Sequence, residues 1–147
     1  MTWTPLNEYV SIREQPIFGS VSGSSTDKYM GLCINAKSSF PYTGIVRNVY
    51  DRQGSPDTPG FIDKSKLLMV KSDDLLQWDI VKELEITGLQ DVLKQLHDHT
   101  PLKKEFLGLE DPDIILDENE KLHVYFTIPF KHPTEPQCDV YLGHATG

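Results

Sequence analysis

The chain has 147 residues, of which 38% are hydrophobic, and a formal net charge of −8 from 22 acidic against 14 basic side chains. This length suits a single domain with a packed core, and there is no run of about 18 apolar residues to cross a bilayer. The acidic balance disfavours nucleic acid and anionic membranes as partners, and residues 1–10 lack the basic-then-apolar layout of an export signal, so a cytoplasmic location is expected.

In chain order, the first β-prone run is 17–21 (IFGSV), followed by the nearly continuous apolar run 29–35 (YMGLCIN). Residues 38–61 read as a long connection, punctuated by Pro41, Gly44, Gly54, Pro56, Pro59 and Gly60. Phe40, Tyr42, Arg47 and Tyr50 lie within it, where a rim loop can shape a site. Strands are then expected at 66–71 (KLLMVK) and 77–81 (QWDIV). Residues 88–98 differ, because Leu89, Val92, Leu93 and Leu96 follow the spacing of one helical face; this predicts a short amphipathic helix that covers a sheet edge, or serves as a lid. Three more strands are expected at 112–116 (PDIIL), 122–129 (LHVYFTIP) and 140–144 (VYLGH), with a proline-bearing connection at 132–137.

The predicted fold class is therefore all-β with one short helix. Residues 27–35 resemble 120–128: an acid-lysine turn leads into a long apolar strand in both. A shorter strand precedes each (17–21; 114–116) and another strand follows each after a loop (66–71; 139–144). Repeated antiparallel units of this kind point to a propeller or solenoid. The second unit stops where the first goes on to its last strand.

Few other residues offer chemistry. Cys33 and Cys138 are far apart, lack a paired metal-ligand spacing, and read as free, buried thiols. His97 and His99 flank Asp98 at a helix end and read as solvated, not as a metal pair. His123 and His144 fall on strands and read as satisfied core or rim residues. No motif calls for a metal or a cofactor.

Two segments resemble a known superfamily. Residues 72–78 (SDDLLQW) resemble the S-x-D-L-x-x-W turn between outer strands of a blade in the propeller glycosidases. There Ser and Asp side chains would fix the turn, while Leu75 and Trp78 would pack between blades. Residues 108–127 resemble both the G-x-E-D-P-R segment of glycoside hydrolase family 130 and the D-P-D-I-I segment of family 43. The resemblance implies a β-propeller of four-stranded antiparallel blades, about two of them present here, with blade one at about 12–83, a helical insertion at about 84–106 and blade two at about 107–147. Since blades of about 40–50 residues must number at least about four, the propeller would be incomplete, and assembly with another chain is one expectation.

That likeness also implies an activity, the cleavage of a mannoside, arabinoside or xyloside. Such chemistry needs an acid and a second carboxylate, about 5 Å apart in retaining enzymes and about 6.5–9.5 Å apart in inverting ones. In family 130 the Asp of this motif is the expected proton donor, which singles out Asp111 as the catalytic residue. Asp113 stands where family 130 has Arg, a substitution that disfavours phosphate and favours hydrolysis. The first expected inner strand, 15–21, lacks the carboxylate that family 43 would place there. By strand alternation Asp111 and Asp113 share one face and Glu110 takes the other. Asp113 is therefore assigned to substrate hydroxyls. Tyr42 is a candidate sugar platform, and Arg47 a candidate for a carboxylate, a phosphate, a sugar hydroxyl or a surface salt bridge. The bland alternative for 110–113 is an acid-proline turn opening a strand. The competing function is a noncatalytic module that binds carbohydrate or only assembles.

Overall fold

A computed structural model describes residues 27–37, 39–55, 60–99, 104–133 and 138–147. The expected strand at 17–21 lies outside the described residues. The others form two antiparallel sheets, each counted as four strands, and one helix. The first sheet runs in chain order through β1 (Lys28–Ile34), β2 (Tyr42–Gln53), β3 (Ile62–Ser72) and β4 (Asp79–Glu83). The helix α1 (Leu89–Asp98) follows. In the second sheet β7 (Leu122–Lys131) is central, with β8 (Cys138–Thr146) along one side. Along its other side run β5 (Glu105–Phe106) and β6 (Glu110–Leu116), end to end.

The largest departure from the sequence reading is β2. The expected connection at 38–61 holds a 12-residue strand, paired with β1 on one side and β3 on the other. Of its punctuation, Gly44 falls inside the strand, whereas Pro41 lies just before it and Gly54 just after it. Between them the apolar alternation is broken by Arg47 and Asn48, which are buried all the same. The strand that follows β1 is thus β2, not β3 as the internal repeat supposed. Gly44 is required by its neighbours, since a Cβ there would lie 2.6 Å from the Cys33 carbonyl oxygen of β1.

Two turns show how short polar side chains shape these sheets. Between β3 and β4, Ser72 Oγ accepts the backbone N–H of Leu75 at 2.8 Å, and Asp74 Oδ1 accepts those of Leu76 and Gln77, each at 2.8 Å. These bonds hold Leu75 in a left-handed conformation (φ 62°) and deliver Trp78 into the core. Trp78 is buried against Val46, Leu68 and Val70, whereas Leu75, expected to pack, is exposed. Between β6 and β7, Asp117 Oδ1 accepts from Asn119 at 2.8 Å and from Lys121 at 2.9 Å.

The main core lies between the sheets. Ile45 and Leu67 from the first sheet meet Leu109, Val124, Phe126, Ile128 and Phe130 from the second segment of the chain. Leu89, Leu93 and Leu96 of α1 pack at its margin, so the helix covers core. Phe126 fits because Gly143 stands opposite it on β8: a Cβ there would overlap the ring. Both cysteines are free; Cys33 is half-buried, but Cys138 is exposed rather than buried as expected. Among the described residues no helix is long and apolar enough to cross a membrane.

Candidate functional site

The backbones of the two sheets meet at a bridge that orients the acidic segment. Ser65 of β3 forms an isolated bridge with Gly108, and the Ser65 N–H donates to the Leu107 carbonyl at 2.9 Å. Gly108 adopts φ 105°, a conformation only glycine enters freely, and a side chain there would collide with the Ser65 backbone. This close approach brings the start of β6 over β1, β2 and β3.

Arg47 meets it from β2. Its side chain is about one-tenth exposed, and three of its nitrogens are bonded. Nε donates to Ser65 Oγ at 2.9 Å, Nη2 to Glu110 Oε1 at 2.6 Å and Nη1 to Asp111 Oδ1 at 3.0 Å. Ser65 Oγ also lies 3.4 Å from Glu110 Oε1, within donating range. A planar guanidinium suits such a fork, because its donors diverge at fixed angles. Arg47, assigned to a loop by sequence, is a central strand residue tying two sheets.

The expected alternation along β6 fails at this point. Glu110 and Asp111 do not face opposite ways; both reach the same guanidinium. Asp111 sits at φ 47°, and the register with β7 slips between Glu110 and Asp113. A left-handed residue rotates the chain out of its pleat, at a cost of about 1–2 kcal/mol for an L-amino acid. Aspartate is among the residues that tolerate it best, and the buried Pro112 follows directly.

The two carboxylates occupy different surroundings. Glu110's side chain is 16% exposed, while Asp111's is 63% exposed. Burial pushes the Glu110 carboxyl above the usual range despite the opposing pull of Arg47, and the Asp111 charge adds to the rise. Asp111 commits one oxygen to Arg47 and presents its side chain to solvent.

The other sequence candidates lie apart from this cluster. Asp113 is exposed on β6, and its Oδ1 accepts the Ile114 backbone N–H at 2.9 Å. Tyr42 opens β2, five positions before Arg47, and packs partly buried against the cluster containing Val46 and Trp78. Ser65 was missed, since a serine inside a lysine-rich strand carries no signal of its own. Gly108 offered the only hint, a glycine just before the acidic run.

A second polar array lies at the far end of the β6–β7 hairpin. Asp117 Oδ2 is 3.3 Å from His123 Nε2, and His123 Nδ1 is 2.8 Å from His144 Nε2. The two ring planes are parallel to within 7°, and His144 also stacks on Tyr125. Among the described residues no three His, Cys, Asp or Glu side chains form a set able to hold a metal. Comparison with protein-family models, with curated proteins and with solved structures finds no match to this chain.

Proposed function

We propose that the chain carries one wall of a carbohydrate site on a propeller-type scaffold, with Asp111 as the carboxylate that acts on a mannoside, arabinoside or xyloside. The observation that supports this reading is the unequal pair held by Arg47: a recessed Glu110 beside an exposed Asp111. A carboxylate that gives one oxygen to a fixed guanidinium and is otherwise open to solvent is placed to meet a sugar, while the second carboxylate that cleavage needs must stand across the bond. In this reading Glu110 anchors Arg47, Arg47 fixes one oxygen of Asp111, and the rest of that carboxylate meets the sugar. Asp113, next on β6, contacts sugar hydroxyls. The opposing carboxylate comes from another part of the protein or from another chain, and water is the acceptor.

The alternative is a noncatalytic carbohydrate-binding or assembly module. One feature favours it: both carboxylates engage a single guanidinium, an arrangement that also serves as a structural tie between sheets. Asp111→Asn, made in the complete assembly that supplies the opposing carboxylate, separates the two readings, because it preserves shape while removing charge. Turnover of aryl mannosides, arabinosides and xylosides should fall by about 10²–10⁴-fold with sugar binding retained. An inactive wild-type protein that still binds these sugars supports the module. Turnover and binding both unchanged in the variant would sink the site assignment.

A further inference from the structure

The polar array on the second sheet is a chain of bonds with a direction. Asp117 Oδ1 belongs to the turn, where it accepts the backbone N–H groups of Asn119 and Lys121. The Lys121 N–H foremost, with His123 and Asn119, holds the Asp117 carboxyl below the usual carboxylate range. At neutral pH the group is therefore a charged acceptor. Its Oδ2 lies 3.3 Å from His123 Nε2, which places the His123 proton on that nitrogen. His123 Nδ1 is then a bare lone pair, and the N–H of His144 Nε2 donates to it at 2.8 Å.

The sheet sets the positions of both rings. His144 stands opposite Tyr125 in the β7–β8 register, and Tyr125 follows His123 by two positions. The two histidines are thus diagonal cross-strand neighbours on one face, the face away from the core side chains Val124 and Phe126. His144 is further steadied by its stacking on Tyr125.

We propose that His123 and His144 form a two-imidazole site for a divalent late transition-metal ion, copper(II) or nickel(II), with Asp117 backing His123. Imidazole nitrogens bind such ions at about 2.0–2.1 Å, so two of them lie about 2.9 Å apart at right angles and about 3.3 Å apart at tetrahedral angles. The 2.8 Å spacing matches the right-angled case, which copper(II) and nickel(II) favour over the tetrahedral geometry of zinc. A carboxylate on the far nitrogen of a ligating histidine aims its lone pair and raises its basicity, and Asp117 occupies that position. On binding, the ion displaces the bond between the rings, and each ring turns its lone pair towards it. His144 moves its proton from Nε2 to Nδ1, so two neutral rings release no net proton. Two side chains make an open site, and water fills the remaining positions. The chain's net charge of −8 favours a cation. The site lies beyond the opposite end of β6 from Asp111 and is independent of the carbohydrate reading.

Calorimetric titration of the full chain with nickel(II) chloride tests the site, with circular dichroism to verify that each variant folds. The wild type should bind one ion through these rings, and His123→Gln and His144→Gln should each lose that binding. The double variant His97→Gln/His99→Gln, at the end of α1, should keep it. Asp117→Asn gives a readout that a merely structural role would not move. Its amide N–H donates to His123 Nε2, forces the proton onto Nδ1 and so occupies the ligating lone pair. Affinity should fall by about 10–100-fold, and nitrogen-15 NMR should show the His123 proton moved from Nε2 to Nδ1. A wild type that binds no nickel(II), binding that survives His123→Gln or His144→Gln, binding indifferent to Asp117→Asn, or a wild-type His123 protonated on Nδ1 would each overturn the proposal.

Discussion

Gly108 passes so close to Ser65 that a Cβ at position 108 would overlap the Ser65 carbonyl oxygen. The contact is what carries the chain from β5 into β6 at the height of Arg47. Gly108→Ala therefore combines an overlap with backbone and a residue held at φ 105°. A loss of about 2–4 kcal/mol is expected in urea unfolding. Ser65→Ala keeps the backbone bridge and removes one bond to Arg47, so it should cost only about 1 kcal/mol. Equal costs for the two would mean the close approach is not a constraint.

Arg47→Met leaves Glu110 recessed without its cation, an arrangement that costs about 3–5 kcal/mol at neutral pH. The pH dependence has a definite sign. Glu110's carboxyl is raised in the folded state above its reference of 4.5, so it favours folding most below that value. That contribution is lost as pH rises through the folded-state value. Without Arg47 the rise is larger, and the penalty grows towards neutral pH. Unfolding curves for wild type and variant should converge below 4.5 and separate above it. A gap that is constant with pH would rule out the Glu110 charge as its cause.

Asp74 works in the opposite direction. Its carboxyl lies below the reference of 3.8, chiefly because the backbone N–H groups of Gln77 and Leu76 donate to it. A lowered value gives stability that is present above 3.8 and lost as pH falls through the folded-state value. Asp74→Ala should be less stable than wild type at neutral pH, with the difference vanishing in acid. Ser72→Ala, at the buried end of the same turn, should cost about 1 kcal/mol at either pH.

The two thiols should react in separate phases. Burial pushes the Cys33 thiol up to about 11, and the Asp113 charge adds to the effect. Cys138 is also raised by burial, but it is the exposed one of the pair. With an aromatic disulfide reagent near neutral pH, the fast phase should disappear in Cys138→Ser and the slow phase in Cys33→Ser. Unfolding in urea should merge them. A fast Cys33 would contradict its half-buried place beside Ile45.

Much of the architecture was legible in the sequence, though unevenly. β7 and α1 were readable because each holds an apolar period of its own kind over most of the element, and the apolar run at 66–71 marked β3, which begins earlier at Ile62. β2 was not, and the reason lies in what it does. Arg47 and Asn48 interrupt its apolar pattern where the pattern would have identified it, and Arg47 is there to hold two carboxylates. Sequence patterns most often break where a polar group has a task. Glu110 was misplaced for a related reason. Strand alternation assumes a regular pleat, and the left-handed Asp111 removes it.

By itself, then, the sequence determined an antiparallel, mostly β chain with one helix. It also marked Glu110 to Asp113 and Arg47 as its chemically richest positions. Residue type and periodicity suffice for that, being local properties. Only the tertiary structure decided that Arg47 binds Glu110 and Asp111 together and that Ser65 completes the cluster. Those outcomes depend on pairings between residues up to 64 positions apart and on one glycine's freedom to approach a neighbouring strand. None of these is written in any single stretch of chain.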